Sequence, residues 1–159
     1  MRDNGKRWII ILFAGILAAV VLFVVSYQLA GSNREFGIYL MESNELVISD
    51  KGIVSYNATS HTIKLNQEGI DEIKTLKVAQ KPFAAKLNGR IIYYGSFWSD
   101  IFSVPHSGIV IIDILAVQNG STDTIRVEPC YPSLSCQDAD LRNNQELFSY
   151  LESVGKLIR

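Results

Sequence analysis

The sequence predicts an α+β domain held at a membrane by one N-terminal helix, and three observations carry that reading. Residues Trp8 to Val25 are eighteen consecutive positions without a charged side chain. From Phe36 onward, short runs rich in Ile, Val and Tyr alternate with turn residues, the pattern of strands joined by hairpins. Two segments with helical apolar spacing, one after Asn66 and one after Asn143-Asn144, can cover a sheet. The expected fold is therefore one transmembrane helix followed by a mainly antiparallel sheet with two packed helices.

A helix rises about 1.5 Å per residue, so about 20 apolar residues cross a hydrocarbon core about 30 Å thick. Extending the apolar run to Leu29 gives that length, with Trp8 and Tyr27 at interfacial positions. Arg2, Lys6 and Arg7 precede the run, whereas Arg34 follows it and is next to Glu35. The cationic side stays in the cytoplasm. This reading places 1–7 in the cytoplasm, 8–29 in the bilayer, 30–35 in a linker and 36–159 outside the cytoplasm. The expected location is the cell membrane, single-pass, with the lipid bilayer contacted through Trp8 to Leu29. A cleaved signal peptide shares the charged start. Its apolar stretch is usually only about 7–15 residues, and a cut after Ala30 would put Gln28 at the third position back.

Cys130 and Cys136 are the only cysteines. An isolated pair in an exported domain reads first as a disulfide, with free thiols or a metal as alternatives. A metal would need further ligands, and neither His61 nor His106 is close in sequence. No metal or cofactor is expected. A loop this short gains about 2 kcal/mol from closure in the chain-entropy model.

Net charge is −1, with acidic and basic residues interspersed. No basic stripe marks a nucleic-acid surface. Strands are expected at Phe36 to Met41, Glu45 to Ile48, Ile53 to Asn57 and Thr62 to Asn66. A helix of about ten residues follows, capped by Asn66, with Glu68, Asp71 and Glu72 early and Lys74 and Lys77 late, an order that suits the helix dipole. Asn88-Gly89 between Phe83–Leu87 and Arg90–Tyr94 predicts a type I′ hairpin. Gly108 to Val117 reads as one long buried strand, and Asn119-Gly120 leads to another at Thr124 to Glu128. Leu147, Phe148, Leu151, Val154 and Ile158 line one face of a terminal helix. Asn57-Ala-Thr59 and Asn119-Gly-Ser121 are N-x-S/T sequons at turns.

Three blocks resemble the extracytoplasmic domain of SecD-type protein-export membrane proteins. They are Asp50-Lys-Gly-Ile-Val-Ser55, then Ile63-Lys-Leu-Asn-Gln-Glu-Gly69 running to Ile73, then Lys81-Pro-Phe-Ala-Ala-Lys-Leu-Asn-Gly89 ending near Ile92. The resemblance spans about residues 46–114 and implies a ferredoxin-like or related subdomain and an accessory role in export or envelope assembly. The chain departs from that family in having a single span, so the family's later membrane helices and their acidic residues have no counterpart.

A hydrolase needs a nucleophile with a positioned base, and no G-x-S-x-G elbow occurs. His61 and His106 fall in predicted turns, which favours solvated side chains. Asp113 interrupts an Ile-rich run, and a carboxylate there must be paired or point outward. The best binding candidate is the aromatic run around Tyr94, Phe97 and Trp98, with Asp100 adding a polar contact. At strand spacing Tyr93 and Gly95 share one face, Tyr94 and Ser96 the other. The leading expectation is a non-catalytic domain that binds a protein or peptide partner. A hydrolase built from dispersed Ser, His and Asp residues, and a purely structural spacer, are the alternatives.

Overall fold

In the computed structural model, which describes residues 35–133, 136 and 140–159, nine strands and three helices follow in this order. They are β1 (Phe36–Leu40), β2 (Leu46–Ser49), β3 (Ile53–Asn57), β4 (Thr62–Leu65), α1 (Gln67–Lys74), β5 (Pro82–Leu87), β6 (Arg90–Phe97), β7 (Ile109–Ile112), α2 (Ile114–Gln118), β8 (Thr124–Glu128), α3 (Gln145–Ser153) and β9 (Leu157–Ile158). The span expected over 8–29, with the cytoplasmic residues 1–7 and nearly all of the linker, lies outside the described residues. No helix among the described residues is long and apolar enough to cross a membrane.

All nine strands join one sheet in the order β2-β1-β5-β6-β7-β8-β4-β3-β9. Two contacts are parallel, β6 with β7 and β3 with β9. The β5–β6 hairpin is as the sequence suggests: Asn88 and Gly89 take φ of 55° and 76° between the two strands, the left-handed pair a type I′ turn needs. Asn66 caps α1 by accepting from the Gly69 amide at 3.0 Å, and Asn144 caps α3 by accepting from Leu147 at 3.0 Å. One face of the sheet and all three helices form the main core, including Ile38, Phe83, Phe97, Ile73, Ile114 and Leu147. Strand alternation sends Val110 and Ile112 to the opposite face, where Trp98, Phe102 and Tyr131 cover them. That explains why β7 is apolar at every position.

This fold corrects the expected one. The sheet is a single mixed sheet of nine strands, carrying three helices instead of two, and its strand order is not ferredoxin-like. Two local features account for the third helix and the ninth strand. Gly108 to Val117 is a four-residue strand and a helix, because Asp113 adopts φ 70° and turns the chain. Ile114 and Val117 then reach the core at helical i, i+3 spacing. An unbroken apolar run hides that switch of period. The terminal helix also stops early. Gly155, at φ 71°, closes it, a left-handed C-terminal stop. Leu157 and Ile158 instead pair in parallel with Tyr56 and Asn57, leaving Val154 and Ile158 exposed.

Candidate functional site

Strand alternation separates the residues expected to form one binding surface. Phe97 turns inward beside Tyr93, 0 % exposed, with its ring 5.1 Å from that of Phe83. Trp98 is buried on the opposite side of the sheet, its ring 5.5 Å from Phe102 and 4.7 Å from His106. Its Nε1 and His106 Nδ1 are buried without hydrogen-bond partners among the described residues. Asp100 accepts from Arg126 Nη2 at 3.0 Å. Tyr94 alone of the four is an open aromatic surface, 54 % exposed.

Arg126 on β8 organises the neighbouring carboxylates. Its Nε and Nη2 donate to the two Asp113 oxygens at 2.6 and 3.1 Å, while Nη1 lies 3.7 Å from Glu128. This fork pairing is the strong form of guanidinium–carboxylate contact. The hydrogen bonds it donates to Asp113 hold the Arg126 pKa above its ordinary value. Arg142 makes the same fork with Asp140 at 2.8 and 2.7 Å, and that bonding keeps the Asp140 carboxyl below the usual range. Asp113 is thus paired, not orphaned, and the network ties β8 to the loops on either side.

His61 departs from the solvated turn expected of it. It is 6 % exposed, at φ 52°, and its Nδ1 lies 2.7 Å from Tyr56 Oη. Burial lowers its pKa, and the nearby Arg142 cation lowers it further. Asp50 faces Lys156 Nζ at 3.2 Å. Neither histidine hydrogen-bonds a carboxylate among the described residues, and these residues contain no group of three or more His, Cys, Asp or Glu placed to hold a metal. The sulfurs of Cys130 and Cys136 lie 2.11 Å apart, joined as a disulfide.

The surface that does assemble is the outer face of β1, β5 and β6. Cross-strand register aligns Tyr39, Ala84 and Tyr94 in one row and Gly37, Lys86 and Ile91 in the next. Two strand spacings put the Tyr39 and Tyr94 Cα atoms about 10 Å apart, with Ala84 as a low floor between them. Met41 continues the row of outward residues on β1 and is 50 % exposed, and Ile91 is 41 % exposed. Lys86 Nζ sits 4.7 Å from the Tyr39 ring centre and donates to Asn44. No element among the described residues packs over this face, because all three helices bury their apolar side chains in the main core. Sequence reasoning found Tyr94 but missed Tyr39, Met41, Ala84 and Ile91. The signal was present from Phe36 to Met41, where both alternating sets, Phe36-Ile38-Leu40 and Tyr39-Met41, are apolar.

Compared with known protein families, characterised proteins and solved structures, the chain matches none.

Proposed function

We propose that this protein is a membrane-tethered module that binds a protein or peptide partner outside the cytoplasm, through the open face of β1, β5 and β6. The observation that carries the reading is the row Tyr39–Ala84–Tyr94, in which Tyr94 is exposed, Tyr39 half-buried and Ala84 buried between them, with exposed Met41 and Ile91 beside it. Single exposed apolar residues are ordinary, whereas several contiguous ones on an uncovered sheet face mark contact surfaces. Tyrosine gives broad, rigid contact area with a polar tip. The tether is supported by the apolar run from Trp8 to Val25 and its cationic N-terminal flank. The Cys130–Cys136 disulfide suits an oxidising compartment. An accessory role in export or envelope assembly is the setting the SecD-like blocks suggest.

The test is a double variant, Tyr94→Asp with Ile91→Asp, expressed as the full chain and recovered from cross-linked membranes. Both positions are exposed, so thermal stability should stay near that of the parent. Partners recovered with the parent protein should be lost from the variant. Recovery of the same partners by both proteins would refute this face as the contact surface.

A further inference from the structure

A cleft of about 250 Å³ lies beside the edge strand β2, between the β1–β2 pair and the start of α1. Phe36, Tyr39 and Leu46 give it apolar walls. Its charged lining is Glu35, Asp50, Glu68 and Glu72 against one cation, Lys51. Glu72 accepts from the Ser49 amide at 2.9 Å, and Asp50 is paired with Lys156, so both are engaged. Glu68 makes no ion pair among the described residues.

We propose that this cleft docks a lysine- or arginine-bearing segment of a partner protein. Such a side chain is an aliphatic stem with a cationic head. Tyr39 and Leu46 suit the stem, and Glu68 suits the head. An anionic segment would meet Glu35, Glu68 and Glu72 against Lys51, Asp50 being offset by Lys156, and the remaining surplus of negative charge selects against it. The inference goes beyond the Tyr94 face, although Tyr39 borders both surfaces.

The experiment measures fluorescence anisotropy of two labelled decapeptides with the purified full chain, one alternating Lys and Val, the other Glu and Val. The Lys peptide should bind, more weakly as salt rises, and the Glu peptide should not. Glu68→Lys should weaken the Lys peptide about fivefold or more. Leu46→Ser, outside α1, should weaken it too, which covers any disturbance of the helix start by Lys at 68. Carbodiimide should couple the peptide to Glu68. Tyr94→Asp should leave this binding in place, which separates the inference from the outer-face reading. Equal binding of both peptides, no binding, indifference to both cleft variants, or coupling only to acids outside the cleft would each overturn it.

Discussion

His61 is the residue at which burial and titration meet most directly. Its folded pKa is depressed by burial first and by Arg142 second, while the unfolded chain keeps a value of about 6.5. The unfolded state therefore binds the proton first as pH falls. Stability is fully present above pH of about 6.5 and is lost progressively below it, down to the folded pKa. Denaturant titrations between pH 7.5 and 5 should show that loss. His61→Asn tolerates the left-handed backbone and should flatten the slope, even at lower absolute stability. A slope unchanged by the substitution would place the titration elsewhere. At Arg126 the expectation is static. Its side chain is partly exposed, so Arg126→Gln should cost about 1–2 kcal/mol, between the exposed and buried limits for ion pairs. The loss should appear in denaturant midpoints, because Asp113 and Asp100 lose their common donor.

Among the elements, α1 is the one the sequence describes best and the one most sensitive to a methyl group. Gly52 and Gly69 meet where the β2–β3 turn packs on its first turn, and a Cβ at Gly69 would fall 2.5 Å from the Gly52 carbonyl oxygen. Both partners are backbone, so Gly69→Ala should destabilise by about 1–3 kcal/mol through overpacking. Asn66→Ala should cost about 1 kcal/mol by removing the cap. Circular dichroism melts of the two variants would show whether crowding outweighs capping at this junction. The cap at Asn66, the cap at Asn144 and the Asn88-Gly89 turn were legible because each depends on a few adjacent residues. The β7–α2 boundary was not. It depends on Asp113 being gripped by Arg126, thirteen positions away, and no local pattern records that contact. The same limit applies to the binding face. Alternation put Tyr93 and Tyr94 on opposite faces, so that at least one should be exposed, but the alignment of Tyr94 with Tyr39 through Ala84 requires β1 to pair with β5, a non-local choice. His61 looked like a solvated turn residue because its burial comes from Tyr56 and the Arg142 segment, both brought to it by the fold.

For the whole molecule, a two-sided sheet divides labour between its faces. The inner face and three helices make the main core, and the outer face is covered over β7 but open over β1, β5 and β6. The Cys130–Cys136 bond closes a loop of only a few residues that includes Tyr131. Its reduction should therefore cost about 2 kcal/mol and leave the sheet folded. A collapse of all secondary structure on reduction would show a larger role for that loop. Both proposed surfaces, the tyrosine row and the acid-walled cleft, meet at Tyr39. The most direct measurement places a photoactivatable residue at 91 or 94, and separately at 54 or 158, which are also exposed but lie elsewhere on the sheet, in the full chain within its own membranes. Adducts to a partner should form from 91 and 94 and not from 54 or 158. Adducts only from 54 or 158, or equally from all four positions, would contradict the account.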